Sequence, residues 1–233
     1  MEVTGLDDII VFTLDKDNKL KTDPSKGGFT YDGDKGKVFD PVTHAELPGL
    51  FKIDLDSSKG ATQANITGIA PTVTRVYGSN AIAEVNSGTE QPSISLGAND
   101  IPHVIYDQLT GLVKDELGGY ARKGRSNPTK GGVIAHTFNK NKGIDLYVAF
   151  PYGIFAPGEL NLGTDTENEN VVHDALTLSA SSRPSDLLLY EKFYSDEVGF
   201  NFTKMIKFIT GQITSDDTAQ NKQASDANGT PNN

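Results

Sequence analysis

The 233-residue sequence contains no cysteine and no tryptophan. The lack of cysteine excludes disulfide bonds, thiolate zinc sites and a cysteine nucleophile. No run of about 18 consecutive apolar residues occurs, so the sequence predicts no membrane-spanning helix. The first residues, MEVTGLDDIIVF, lack the basic and apolar regions of a secretory signal. We therefore expect a protein that is made in a cytosol and stays there until it assembles.

Positive charge is also scarce. Twenty-one Lys and Arg residues stand against 31 Asp and Glu residues, which gives a net charge of −10. A surface with this excess of negative charge repels phosphates, which argues against binding of nucleic acid through a general basic surface. Hydrophobic residues make up 36% of the chain, and 24 residues are glycine. This composition predicts a thin, sheet-like core.

Short segments of alternating polar and apolar residues dominate the chain. The stretch KGATQANITGIAPTVTRVYGSNAIAEV (59–85) is typical, and its GSN predicts a hairpin turn between two strands. Period-two alternation at this spacing predicts antiparallel sheets with one buried face. The predicted strands are 8–14, 61–67, 72–77, 81–85, 93–96, 132–138, 144–150, 175–181 and 186–194.

Two helices are predicted between these strands. The first begins with Asn99 or Asp100 as N-cap and Pro102 in its first turn, and carries an apolar stripe on one face. It ends at Gly111 or at Gly118–Gly119. The second begins at the N-cap Asn201 and ends at Gly211, and its apolar face comprises Phe202, Met205, Ile206 and Ile209.

Two polar stretches define the predicted organisation. Residues 15–60 are predicted to be a long polar loop, rich in turn-forming residues. Residues 212–233 are polar and small, and bury too little surface to offset the entropy lost on ordering. We therefore predict a β domain over 1–211 and a C-terminal tail or arm over 212–233.

Several motifs contain residue types that can carry chemistry. The four histidines (His44, His103, His136 and His173) have no metal-binding spacing, and are interpreted as isolated surface or turn residues. The stretch GGYARKGRS resembles a phosphate-binding loop, but no buried strand precedes it and Asn127–Pro128 follows it where a helix should begin. What remains is a basic loop containing Arg122, Lys123, Arg125 and Lys130, which is either a solvated loop or a contact with an acidic patch on another subunit.

An acidic stretch partly fits a calcium loop. Asp165, Glu167 and Glu169 have the opening 1, 3, 5 spacing, and Asp174 follows. The glycine and glutamate that complete such a loop are missing, so a solvated loop is the default interpretation. The residues therefore predict no catalytic, cofactor-binding or metal-binding set, and a structural or binding role is favoured over an enzyme.

The order of segments resembles the major tail protein (tail tube protein) family of long-tailed, non-contractile phages of Gram-positive bacteria. The resemblance rests on GLDDIIVFTLDKD near the start, LPG at 47–49, the 60–111 segment from GATQANITG to YDQLTG, IDLYVAFPYG, and the closing DLLLYEKFYSDEVGFNFTKMIKFITG. It covers most of residues 5–211.

The resemblance implies a mainly β fold: an antiparallel β-sandwich or barrel of the tail-tube type with one or two short flanking helices, long loops and extended terminal arms. It also implies hexameric rings that stack into a tube, with other tail proteins at its ends and DNA passing through without specific binding. The protein would be made in the host cytoplasm and reside in the virion, with no membrane and no cofactor.

On this interpretation the 15–60 loop and the tail are arms between rings, and the basic loop is a subunit contact. Two alternatives are compatible with the sequence: a carbohydrate-binding or adhesin sandwich, and a head–tail joining protein. The first needs an exposed aromatic platform, which a chain without tryptophan is less suited to provide.

Overall fold

The computed structural model describes residues 5–122, 124, 128–158 and 174–214. This part of the chain is mainly β, as predicted. Its helices are α1 (Leu55–Ser58), α2 (His103–Leu109) and α3 (Phe202–Ile209). Its strands are β1 (Leu6–Leu14), β2 (Val38–Phe39), β3 (Glu46–Leu47), β4 (Leu50–Ile53), β5 (Ala61–Thr67), β6 (Val73–Gly78), β7 (Ala81–Ser87), β8 (Ser93–Ala98), β9 (Val113–Lys114), β10 (Tyr120–Ala121), β11 (Lys130–Asn139), β12 (Ile144–Pro157), β13 (Asp174–Ala180) and β14 (Glu191–Tyr194).

One eight-stranded sheet forms the body of the protein. Its order is β4-β1-β11-β12-β13-β8-β5, and β14 also pairs with β12. Every pairing is antiparallel. The long strand β12 pairs with β14 through Leu146–Ala149 and with β13 through Gly153–Pro157. Three small two-stranded sheets, β2–β3, β6–β7 and β9–β10, accompany the main one.

The main sheet is rolled and covered on both faces. β5, at one end of the strand order, lies against β1, near the other end. The inside of the roll holds one apolar cluster, which α2 joins through Ile105 and Leu109. α3 packs its Met205, Ile206 and Ile209 into a second cluster on the opposite face.

The sequence of β1 explains why both faces are buried. Ile9 and Val11 belong to the cluster inside the roll, whereas Ile10, Phe12 and Leu14 belong to the cluster under α3. Alternate residues of a strand point to opposite faces, so a strand between two cores is apolar at successive positions. The dense run DIIVFTL is therefore a central strand.

Both predicted helices are present, and the first has a changed N-terminal boundary. The prediction of Asn99 or Asp100 as N-cap is wrong: Pro102 is the N-cap of α2, with a non-helical ψ of 125°. Instead, Asn99 donates a hydrogen bond to the Lys59 carbonyl, and Asp100 pairs with the Lys59 ammonium at 2.6 Å. The helix ends at Leu109 before Gly111, whose φ of +79° matches the earlier of the two predicted ends. The prediction for α3 is confirmed, with Asn201 capping the Lys204 amide.

The prediction of a strand over 186–194 is wrong in its first half, since only Glu191–Tyr194 is a strand. Arg183 forms an ion pair with Asp186 and donates to the carbonyls of Phe208 and Ile209 at the end of α3. These bonds fold residues 183–187 into a turn, in which Leu187 has a φ of +61°.

The prediction of a polar loop over 15–60 is also wrong for much of that stretch. It contains β2, β3, β4 and α1, and β4 pairs with β1 in the main sheet. Phe29 and Phe51 are buried in the cluster inside the roll, with ring centroids 6.0 Å apart. The Tyr31 hydroxyl donates to the Leu50 carbonyl at 2.7 Å. Most of this segment is thus part of the subunit's own fold.

Candidate assembly surfaces

Residues 61–98 form a two-stranded ribbon that leaves the body of the protein. Its base is the pair β5–β8, which belongs to the main sheet, and its outer part is the pair β6–β7. The Gln91 amide donates to the Gly68 carbonyl, and the Gly88 amide donates to the Thr72 carbonyl. These bonds join the two halves. We call residues 72–89, the outer part, the projecting hairpin.

Every described side chain of the projecting hairpin is exposed to solvent. Ser79 and Asn80 form its turn, with φ values of 49° and 65°. Two consecutive positive φ values define a type I′ turn, whose twist matches that of a hairpin. An isolated two-stranded hairpin is at best marginally stable in water, so this element is suited to be completed by a partner.

The hairpin carries an apolar patch near its tip. Tyr77 pairs with Ile82, and these residues are 68% and 51% exposed. Val73 lies four residues before Tyr77, and Val85 pairs with Arg75, two residues before Tyr77, so both add exposed apolar groups to the face of Tyr77. Val76, which is 43% exposed, lies on the opposite face. Exposed apolar side chains gathered in this way are typical of a protein-contact surface.

The base of the ribbon offers an open sheet edge. Among the described residues, β5 forms ladder hydrogen bonds with β8 alone. Ala64 and Ile66 pack toward the core, and Gln63, Asn65 and Thr67 face solvent, as the alternation predicted. Thr62 departs from the pattern because a register shift lies between Ala61 and Gln63. An edge of this kind can pair with a strand of another chain.

The structure separates the residues of the predicted basic loop. Arg122 is exposed directly after β10, whereas Lys123 and Arg125 lie outside the described residues. Lys130 begins β11, where its ammonium lies 3.3 Å from the Asn18 side-chain oxygen and 5.7 Å from the centre of the Tyr152 ring. Lys130 thus contacts its own subunit.

A groove of about 560 Å³ lies between α3 and the segment around β3. One of its walls contains Asp40, which is buried. The Asp40 carboxylate accepts hydrogen bonds from the Thr203 hydroxyl and from the amides of Thr43 and Val42. These bonds, the Thr203 bond foremost, hold the pKa of Asp40 well below its usual range. Asp40 is therefore ionised at neutral pH and ties α3 to the loop before β3.

The remaining sequence candidates have mixed outcomes. The prediction of isolated surface or turn histidines is wrong for His136. This residue of β11 is buried beside the carboxylates of Asp8 and Asp145, which lie on the neighbouring strands. Its partners are far away in sequence, so no spacing motif could have revealed them. His103 begins α2, with its ring against that of Tyr120. His173 and the calcium candidates Asp165, Glu167 and Glu169 lie outside the described residues, and of Asp174 only the backbone is described, in β13.

Comparisons with known proteins identify the family. No helix in the described part of the chain is long and apolar enough to cross a membrane. No curated protein matches the sequence. A family model described as phage tail tube protein matches residues 1–218. The match covers nearly the whole sequence, and the chain belongs to the phage tail tube protein family.

Proposed function

We propose that this chain assembles into hexameric rings that stack to form the phage tail tube, through which DNA passes to the host. Family membership gives a structural role in the tail of the virion. The number of subunits in each ring, the way in which rings stack and the passage of DNA are proposed here. The observation that supports assembly most directly is the projecting hairpin, which exposes apolar side chains outside the core of the subunit.

Ring closure is supported by the open edge of β5. A closed ring lets each subunit cover its neighbour's sheet edge, which removes unpaired backbone groups from solvent. The edge bears polar side chains on its outer face, so it remains soluble in a free subunit. We propose that β5 lies at the boundary between neighbouring subunits of one ring.

Stacking is supported by the length and exposure of the projecting hairpin. It extends the ribbon beyond the sheet, so its tip can reach a surface that the body does not touch. We propose that the patch of Tyr77 and Ile82, with Val73 and Val85 on the same face, packs on the next ring. Burial of these four side chains favours association by about 25 cal/mol per Å² of apolar surface removed from water.

Charge supports the passage of DNA. The net charge of −10 belongs to a chain that would line or surround a channel for a polyanion. A negative wall repels phosphates and so avoids the counterion-driven binding that would retain the genome. We propose that DNA moves through without specific contacts and that the role of the chain is structural rather than catalytic.

The remaining parts of the proposal concern partners and place. Arg122, with Lys123, Arg125 and Lys130, is proposed as a charged contact with an acidic surface of a neighbouring subunit; within this set Lys130 already has partners in its own subunit. Other tail proteins are proposed at the tube ends. Synthesis in the cytoplasm of a Gram-positive host is proposed from the resemblance in sequence.

The test introduces a charge into the apolar tip. Tyr77→Asp should leave the subunit folded, because the side chain is exposed, but should abolish stacking. Val198→Asp is the matched control: Val198 is 97% exposed but lies outside the hairpin, so tubes should form as usual. Sedimentation velocity and negative-stain microscopy measure the outcome.

Three results would each contradict a part of the proposal. Tubes formed normally by Tyr77→Asp would show that the hairpin tip is not a stacking contact. A native protein that stays monomeric at high concentration in every salt tested would count against self-assembly itself. Single rings that never stack would favour the alternative of a head–tail joining protein.

A further inference from the structure

His136 lies in β11 with a carboxylate on each side of its ring. Its Nδ1 is 3.1 Å from an Asp8 oxygen in β1, and its Nε2 is 3.0 Å from an Asp145 oxygen in β12. The residue is only 9% exposed. One side chain thus links the three neighbouring strands at the centre of the sheet.

The hydrogen-bonding capacity of the ring identifies its charge state. A neutral imidazole has one N–H and one lone pair, and an ionised carboxylate only accepts hydrogen bonds. A neutral His136 would therefore direct a lone pair at one of the two carboxylates, which is repulsive. Only the doubly protonated ring donates to both Asp8 and Asp145.

The surrounding groups leave an excess of negative charge for the ring to balance. Asp7 lies 3.5 Å from Nδ1, so three carboxylates surround the ring. The other Asp8 oxygen, Oδ1, is buried and has no hydrogen-bond partner among the described residues. Lys52, on β4, is a nearby cation, and its ammonium pairs directly with Asp54 at 2.7 Å. Burial lowers the pKa of Lys52, but the hydrogen bond and charge of Asp54, and then the charges of Asp8 and Asp7, outweigh burial and raise that pKa.

An aromatic ring covers His136 and its ion pairs. The Tyr147 ring stacks on His136 with centroids 4.4 Å apart. Burial, and then the charges of Asp145, Asp8 and Asp7, raise the pKa of Tyr147, so its hydroxyl stays neutral. Tyr147 therefore shields the ion pairs from water without adding a charge, and an ionic pair in such a place is screened less than one at the surface.

We propose that His136 is a pH-controlled clasp: as an imidazolium it fastens the start of β1 to β11 and β12, and loss of its proton releases that start. The Thr137 hydroxyl also donates to the Gly5 carbonyl, so the two adjacent residues of β11 hold residues 5–8. A register shift between Leu6 and Asp8 weakens the β1–β11 ladder at this end, where the clasp is placed. The inference goes beyond the proposed function and does not depend on assembly.

The sign of the pH effect follows from two opposing causes. Burial lowers the pKa of His136, but the hydrogen bonds and charges of Asp8 and then Asp145 outweigh it and raise the pKa above the ordinary value. A group whose pKa is raised by folding stabilises the fold fully below its unfolded pKa, about 6.5 for histidine. That stabilisation declines as the pH rises through the folded pKa.

The test is an NMR titration of the ring nitrogens in the native full-length protein. His136 should titrate above the ordinary histidine value of about 6.5, and below its midpoint both nitrogens should show the imidazolium signature. Amide hydrogen exchange at residues 7–9, corrected for the intrinsic rate, should accelerate as the ring loses its proton. The Asp145→Asn variant should lower the His136 midpoint by about one pH unit, whereas Asp54→Asn should leave it nearly unchanged.

Three results would overturn the clasp. The first is a ring that is neutral at pH 6. The second is a bound cation: if Zn²⁺ or Mn²⁺ binds in a one-to-one ratio, and the spectrum reports a neutral, metal-shifted ring until EDTA is added, a cation rather than a proton bridges the carboxylates. The third is protection at residues 7–9 that stays constant across the titration, which would show that the proton does not hold β1.

Discussion

Close approach of backbone makes two adjacent glycines necessary in β11. A Cβ on Gly131 would lie 2.0 Å from the Phe12 carbonyl oxygen. A Cβ on Gly132 would lie 2.3 Å from the Phe12 ring and 2.4 Å from the Phe150 carbonyl oxygen. The register of β11 against β12 also shifts between Gly131 and Val133. The pair lets the large Phe12 ring lie across a central strand.

Gly132→Ala should therefore destabilise the subunit by about 1–3 kcal/mol, the usual cost of forcing an extra group into a packed core. The contacts involve backbone and a buried ring, which have little room to move. Chemical denaturation monitored by circular dichroism measures the change. Gly124→Ala is the matched control, since nothing lies within 4 Å of its Cβ position, and its stability should be unchanged. An unaltered midpoint in Gly132→Ala would mean that β1 and β12 can separate at this point.

Residue-level chemistry was the least predictable part of the fold. The pairing of His136 with Asp8 joins residues 128 positions apart, and no local pattern encodes it. The Arg183 contacts with the end of α3 span 25 and 26 positions. They hold a turn in place of the first half of the strand that the leucines at 187–189 predict. Long-range polar contacts of this kind override local propensity.

Among the elements, the ribbon was the most predictable. Strand β5 has the predicted bounds, and the turn between β6 and β7 lies within the predicted GSN. Period-two alternation and a turn signal are both local, so they survive without tertiary information. Within the 15–60 segment, β2 and β3 have two residues each and are too short to show a period, so the sequence predicts a loop there.

The projecting hairpin should be separable from the fold of the subunit. Thr67 and Ser93 are direct partners in the β5–β8 ladder, so residues 70–89 can be replaced by an Asn-Gly turn that suits a tight hairpin. We expect a cooperative thermal transition within a few degrees of the native one, because the deleted side chains are exposed, and loss of tube formation. The Ser79→Asn/Asn80→Gly variant, which keeps the hairpin and improves its turn, is the control and should still assemble. Loss of cooperative melting in the deletion would show that the hairpin supports the core.

At the scale of the whole molecule, the described chain divides into a body with two apolar clusters and an exposed ribbon. The two clusters share β1, β11 and β12, so the sheet is stabilised from both sides. The family and the mainly β architecture were predictable, because the order of segments follows local patterns. The rolled shape was not, because it depends on β5 meeting β1 across the sheet.

The boundary of the C-terminal segment can be tested by two truncations. The amides of Gln212 and Ile213 both donate to the Lys207 carbonyl and so close the end of α3. A chain ending at Thr214 should melt like the full protein, since the composition of 215–233 predicts little core. A chain ending at Gly211 loses both bonds and should be less stable by about 1 kcal/mol. A large loss of stability in the longer truncation would show that the polar segment packs on the body.

The position of β1 in the sheet has a consequence for synthesis. β1 is translated before both of its partners; β4 follows at Leu50–Ile53, but β11 begins only at Lys130. Until then one edge of an apolar strand is unpaired on the ribosome, a state prone to aggregation. Contacts between residues so far apart in sequence also form slowly. The pairing of β1 is thus completed late, and the yield of folded subunits should depend on how fast residues 54–139 emerge.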